Sequence, residues 1–208
     1  QPAAEPVPAL KLHPKAKIAM VLQSLFSAAE ALCAVFVSVY LWANSHDFGV
    51  VFKHYLAIYT VTPFAFILAG WYSQARDRLH AYRLGLALYA VYYAIMLALR
   101  ERTPEYVVEL GILQGITWGV FYAGSNTLDF DVTTKGRREY YVGLVTMATQ
   151  TTAFALPLLS GFIIAHAPSD LAGYHRVFAI SVCIYLACFA LSFLMPHDRE
   201  RRPFRLRR

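Results

Sequence analysis

Charged side chains are scarce in this sequence: Asp, Glu, Lys and Arg make up 15% of its 208 residues, whereas a soluble domain usually has about 25%. The motifs of several enzyme classes are absent as well. There is no HExxH pair for zinc, no glycine-rich phosphate loop and no serine elbow. No two histidines stand four residues apart, so no metal or haem site is predicted. We therefore expect neither an enzyme nor a bound cofactor.

Cysteine and clustered positive charge are also limited. Cys33, Cys183 and Cys188 fall within apolar runs and form no CxxC pair, which favours small buried side chains over a redox motif. The formal charge of +6 comes without the basic stripe and interleaved aromatics that a nucleic-acid groove needs. No nucleic-acid partner is predicted.

Long apolar blocks dominate what remains, since 58% of the residues are hydrophobic and the mean hydropathy is +0.43. Six blocks are long enough to cross about 30 Å of hydrocarbon as helices. The alternation typical of membrane strands is missing. The predicted spans are 18–44, 51–74, 83–100, 107–129, 140–166 and 177–195. The sequence thus predicts an all-α integral membrane protein with six transmembrane helices in a lipid bilayer.

The distribution of lysine and arginine predicts the orientation of the chain. Counted over alternate loops, 15 of these residues fall on one side and 4 on the other. Because positively charged loops stay inside, both termini are expected in the cytoplasm, and the membrane is expected to be the cytoplasmic membrane of a prokaryote. Residues 1–17 are expected to be a disordered cytoplasmic lead-in, 18–196 the bundle, and 197–208 a basic cytoplasmic tail.

A polar stripe on the first helix contains Glu30 near the middle of the predicted span. A carboxyl group at that depth is expected to be either protonated or paired. It could couple transport to protons or contact a substrate, or it could make a structural hydrogen bond between helices. The stripe consists of Gln23, Ser27, Glu30, Ala34 and Ser38.

Polar and aromatic side chains also recur on the fourth and fifth helices. Amides beside aromatic faces suit a binding cavity, although Gly111, Gly115 and Gly119 could instead serve tight helix packing. Pro63 and Pro157 are expected to kink the second and fifth helices. The third and sixth helices, mostly Leu, Ala, Tyr and Phe, are expected to be lipid-facing supports. The candidate cavity residues are Glu30, Gln114, Trp118, Tyr122, Asn126 and Gln150.

The segment TLDFDVTTKGRREYYVG (127–143) gathers charges of both signs at the end of the fourth helix. This segment, together with FVSVYLW (36–42), FAFILAGWYSQARDRLHAYRLG (64–85), LPLLSGFII (156–164) and GYHRVFAIS (173–181), carries a resemblance. With six spans and both ends inside, the chain resembles the N-terminal six-helix half of a major facilitator superfamily transporter. Gly70, the pair Asp77 and Arg78, and Arg83 look like counterparts of the family's loop motif, although His80 stands where a second glycine is usual.

The resemblance implies transport of a small solute by alternating access between two six-helix halves. It also implies a second half, which could be a missing C-terminal half, a separate subunit or a second copy of the chain. The cytoplasmic gate would consist of Asp77, Arg78, Arg83, Asp129, Asp131, Arg137 and Arg138. The aspartates at 129 and 131 would pair with the arginines at 78 or 83. The alternative is a non-transporting membrane subunit that scaffolds or assembles a larger complex.

Overall fold

The computed structural model describes residues 14–75, 78–132 and 138–195. Within these ranges the chain is helical and contains no strand. Residues 1–13 of the predicted lead-in (1–17) and the basic tail (197–208) lie outside the described residues, whereas residues 14–17 are helical and belong to the first helix. The α-helices are α1 (Pro14–Ser45), α2 (Phe48–Ala75), α3 (Arg78–Leu99), α4 (Val107–Val132), α5 (Arg138–Ala165) and α6 (Asp170–Ser192), and a 3₁₀ segment, η1 (Arg100–Tyr106), joins α3 to α4.

Each predicted span overlaps one of these α-helices, and the architecture fits a helical membrane bundle. By length and composition, the described residues contain five helical runs able to cross a membrane. The expected count of six spans is therefore not shown. The difference lies at η1, because this 3₁₀ segment continues the helical run from α3 into α4, so that Leu79–Asn126 counts as one run of 48 residues although η1 carries charged side chains.

Glycines set the distance and direction of two helix pairs. A methyl group added at Gly111, Gly115 or Gly119 would collide with α2, so the glycine face of α4 packs directly on that helix. The contact positions on the two helices rise together, from His54 opposite Gly111 to Ala65 opposite Gly119, which makes the pair parallel. The pairing of α4 with α3 runs in the opposite direction.

Two further glycines give the direction of α3 against α4. Gly85 faces Phe121, whereas Gly124 faces Tyr82. One position rises as the other falls, so α3 and α4 are antiparallel. The chain consequently turns back on itself through η1.

The core lies along α3, against the expectation that this helix and α6 are lipid-facing supports. Tyr82, Tyr89, Tyr92 and Tyr93 of α3 are almost completely buried, and Tyr89 stacks on Tyr185 of α6 with ring centroids 4.9 Å apart. Both helices do have exposed apolar faces, but α2 and α5 are the more exposed elements. The most apolar stretch of α5 contains no buried residue. The expectation was wrong because apolar side chains suit either lipid or a protein core.

The connection between α3 and α4 is fixed to the end of α1. Arg100 has a φ of 50°, a left-handed conformation that commonly ends helices. Its carbonyl oxygen accepts from the Tyr40 hydroxyl at 2.7 Å and from Asn44 Nδ2 at 3.2 Å. Thr103 Oγ1 donates to the same oxygen at 2.5 Å. Side chains of α1 and of η1 thus meet at this one carbonyl oxygen and hold the connection to the end of α1.

The two predicted kink residues lie inside unbroken helices. Pro63 is within α2 and Pro157 is within α5, and both helices continue past them. Among the cysteines, Cys33 and Cys188 are buried as expected, whereas Cys183 is exposed on α6.

Candidate functional site

A small cleft opens between the first four helices, at the depth of Glu30. Its accessible volume is about 20 Å³. That room suits about one water molecule. The lining residues are Glu30, Ala34 and Val37 of α1, His54, Tyr55 and Ile58 of α2, Tyr92 and Tyr93 of α3, and Gln114 and Trp118 of α4. The cleft is mostly aromatic, with a single carboxyl group.

Two buried polar atoms of the lining have no hydrogen-bond partner, Oε1 of Gln114 and Nε1 of Trp118. The Tyr89 hydroxyl lies behind the lining, beside the Glu30 carboxyl group. Leaving a buried polar group unpaired costs about 1–3 kcal/mol. Buried polar groups are usually satisfied by protein or water. The acceptor on Gln114 and the donor on Trp118 could therefore bind a water molecule or a polar group of a ligand.

Glu30 is the charged group of this region. It is half-buried in the middle of α1, and its carboxyl group lies near the phenols of Tyr89 and Tyr122. Among the described residues it forms no salt bridge. A carboxylate at this depth without a paired cation is costly. Protonation of the carboxyl group or binding of a cation beside it would remove that cost.

His54 is a lining residue that the sequence analysis did not single out. It is 1% exposed and lies inside α2. Its Nδ1 lies 3.2 Å from the carbonyl oxygen of Val107, and its Nε2 lies 3.2 Å from the Tyr92 hydroxyl. Because a carbonyl can only accept, Nδ1 carries a proton, and Nε2 is bonded to the Tyr92 hydroxyl. Both ring nitrogens thus have partners within the bundle.

The structure brings together three of the six predicted cavity residues, Glu30, Gln114 and Trp118. Tyr122 is 38% exposed and lies next to Tyr89 and Glu30 without lining the cleft. Asn126 and Gln150 are exposed on the bundle surface. Sequence reasoning missed the contribution of the second and third helices, because tyrosine at helical spacing is equally typical of a core.

The stripe on α1 is used partly for structure. Gln23 Oε1 accepts from Ser125 at 3.2 Å, and Ser38 Oγ lies 2.9 Å from the Tyr55 hydroxyl. Helix α5 is joined to α1 by Ser160, whose hydroxyl donates to the Leu32 carbonyl at 2.8 Å. Of the stripe residues, Glu30 and Ala34 line the cleft, and Glu30 is the polar one of the two.

The predicted cytoplasmic gate remains a prediction. Asp77 and Arg137 lie outside the described residues, as do the side chains of Arg78, Asp129 and Asp131. Arg138 is exposed at the start of α5. No cluster of three His, Cys, Asp or Glu side chains suited to a metal occurs in the ranges that the structure describes.

Arg83 is the gate residue whose surroundings the structure gives in most detail. Its side chain is buried, and Nη2 donates to the Ser192 carbonyl at 3.0 Å. The guanidinium carbon lies 4.3 Å from the centroid of the Phe193 ring. A cation at the end of α6 complements the partial negative charge of that helix terminus.

Comparison with known proteins gives the family. Residues 18–208 match the model of the Major Facilitator Superfamily. The uncharacterized protein YqgE of Bacillus subtilis (strain 168) is 27% identical over 187 residues, which are 90% of this chain and 43% of that protein. An uncharacterized protein in the sodM 3'region of Geobacillus stearothermophilus is 30% identical over 170 residues, 81% of this chain and 79% of that protein. The chain thus spans less than half of the Bacillus relative. It belongs to the Major Facilitator Superfamily, a family of multi-pass membrane transporters.

Proposed function

We propose that this chain forms one six-helix half of a transporter that moves a small solute by alternating access, with the cleft at Glu30 as part of the solute site. The Glu30 carboxyl group and the unpartnered buried polar atoms of Gln114 and Trp118, which line one cleft, carry this proposal. Polar groups at bilayer depth are expensive and mark solute or ion pathways. In transporters of this family, substrate binds near the bilayer midplane.

We propose further that the helical run Leu79–Asn126 crosses the membrane twice, which gives six crossings in all. A straight helix of that length would extend about 70 Å, more than twice the hydrocarbon core. The antiparallel packing of Gly85 on Phe121 and of Gly124 on Tyr82 supports a return crossing. Six crossings also put both ends of the bundle on one side, in agreement with the excess of positive charge in alternate loops.

Cysteine labelling tests the six crossings and the proposed orientation. Glu105 of η1 and Glu139 of α5 are both exposed at helix ends, and the proposal puts them on opposite sides of the membrane. In a cysteine-free background, a membrane-impermeant maleimide applied to intact cells should label Glu105→Cys and not Glu139→Cys. Permeabilised cells should show both labelled, which controls for expression. Equal labelling of both in intact cells would contradict the topology.

A second half is proposed to cover the exposed faces of α2 and α5. These faces carry large side chains that a monomer leaves open, including Phe64 and Trp71 on α2 and Phe154 on α5, which are 66%, 73% and 78% exposed. The second half would be a further part of the same polypeptide, a separate subunit or a second copy. It would supply the wall that the cleft lacks opposite α1 and α4.

Solute uptake tests the proposed transport. The full-length protein reconstituted into liposomes should accumulate at least one member of a panel of labelled small solutes, and Glu30→Gln should abolish that uptake. Glu109→Gln is a matched control, because Glu109 is exposed in the first turn of α4, away from the cleft. Its uptake should equal that of the wild type. Stable assembly into a larger complex, with no uptake of any solute, would instead favour a scaffold.

A further inference from the structure

We propose that the cleft at Glu30 takes the ammonium head group of a small primary amine. This inference rests on the proposed transport function and names the chemical class of its solute. The observations behind it are the charge of the cleft, its unpartnered acceptor and its dimensions.

The charge of the cleft favours a cation. Glu30 is the charged side chain of the lining, and neither lysine nor arginine lines the cleft. Both ring nitrogens of His54 are bonded to Val107 and Tyr92, so neither is left to donate to an anion in the cleft. A guest with one positive charge would neutralise the carboxylate, whereas an anion would meet repulsion from the carboxylate and the Gln114 oxygen.

The polar atoms of the cleft match the donors of an ammonium group. An ammonium group donates hydrogen bonds and accepts none. Gln114 is 5% exposed and its Oε1 has no partner, so it and Glu30 supply two acceptors. The rings of Tyr55, Tyr93 and Trp118 add the electron-rich faces that attract cations. The indole Nε1–H, itself a donor, would bind a water or an oxygen of the guest.

The size of the cleft selects among cations. The accessible volume of the cleft, about 20 Å³, suits a group as large as a water molecule. A primary ammonium group meets that limit, while a trimethylammonium group carries three additional carbon atoms. The remainder of the guest would occupy the open side, against the second half. We therefore expect primary amines to bind more tightly than their quaternary analogues.

A matched set of cyclohexyl compounds tests the assignment. Binding of radiolabelled cyclohexylamine to the purified full-length protein in lipid nanodiscs would be measured by scintillation proximity. Competition by cyclohexanol, cyclohexanecarboxylate and cyclohexyltrimethylammonium should be weaker by at least about tenfold, the factor that corresponds to about 1.4 kcal/mol. Glu30→Gln should weaken amine binding by at least about tenfold, whereas Glu30→Asp, which keeps the charge, should lose less. Glu109→Gln should bind like the wild type.

The outcomes separate this inference from the transport proposal. Equal binding of cyclohexanol and cyclohexylamine, or unchanged amine binding by Glu30→Gln, would overturn the ammonium site. Absence of amine binding together with saturable uptake of a neutral or anionic solute would overturn it too, and would leave transport standing. Amine binding that depends on Glu30, without uptake of any solute, would support the site and count against transport.

Discussion

The contact between α2 and α4 makes a quantitative prediction at Gly119. Replacing this glycine with alanine would put the new methyl carbon 2.5 Å from Ala65 Cβ and 2.6 Å from the backbone nitrogen of Phe66. Ordinary contact begins at 3.4 Å, so the two helices must separate by almost an ångström. One of the obstructing atoms belongs to the backbone, and a rotamer change cannot relieve it.

Overpacking of this kind costs about 1–3 kcal/mol. Part of that cost is dispersion energy lost along the interface as the helices move apart. Because Ile58 of α2 and Gln114 of α4 both line the cleft, the same movement should widen it and weaken solute binding. Gly119→Ala is thus expected to lower both the midpoint of thermal unfolding and the uptake rate.

Gly161→Ala is the matched control, since no atom lies within 4 Å of a methyl group added there. Alanine favours the helix over glycine by up to about 1 kcal/mol, so this variant should be as stable as the wild type or more stable. Scanning fluorimetry of the purified variants in one detergent measures both changes. The reasoning is refuted if Gly119→Ala unfolds at the same temperature as Gly161→Ala.

Three further substitutions can be measured by the same thermal assay; two remove a hydrogen bond and one relieves backbone strain. Tyr40→Phe removes the hydroxyl that donates to Arg100 and lies 3.2 Å from His175 Nε2, and it should cost about 1–3 kcal/mol; an unchanged midpoint would show that water replaces the hydroxyl. Ser160→Ala should cost about 1 kcal/mol by releasing the Leu32 carbonyl, which already has its place in a helix; a loss as large as that of Tyr40→Phe would contradict this ranking. Arg100→Gly should stabilise by about 1 kcal/mol, because a φ of 50° strains a residue with a side chain; destabilisation would mean that the arginine side chain contributes more than the backbone strain costs.

The sequence predicted the helices well because each apolar block is long and ends in charged or turn-forming residues. It also indicated two alternative roles for the fourth helix, tight packing through its glycines and a cavity lined by its amides, because both residue types recur there at helical spacing. The structure contains both a packing face and a cleft face on this helix: Gly111 packs on α2, while Gln114, three residues on, lines the cleft. The spacing at which residues recur identifies one face of a helix. It does not identify the neighbouring helix that packs against that face.

The residues that the sequence did not identify depend on tertiary pairing. His54 follows Lys53 and so resembled the end of a span, yet its two bonds come from α3 and α4, which lie far along the chain. The tyrosines of α3 could not be assigned to core or lipid, because both surroundings are apolar. The exposed positions of Asn126 and Gln150 likewise depend on where the helices stop packing.

The link between Tyr40 and Arg100 has a consequence for how the protein enters the membrane. Under the proposed topology, α3 and α4 would insert together as a helical hairpin whose tip carries Arg100, Glu101, Arg102 and Glu105 across the bilayer. Moving such charges alone is costly, and pairing two apolar helices offsets that cost. The first helix, made earlier, already presents the Tyr40 hydroxyl at the far side, so it can receive the tip when the hairpin arrives. The hydrogen bond that stabilises the folded bundle would then also hold the hairpin in its inserted position during biogenesis.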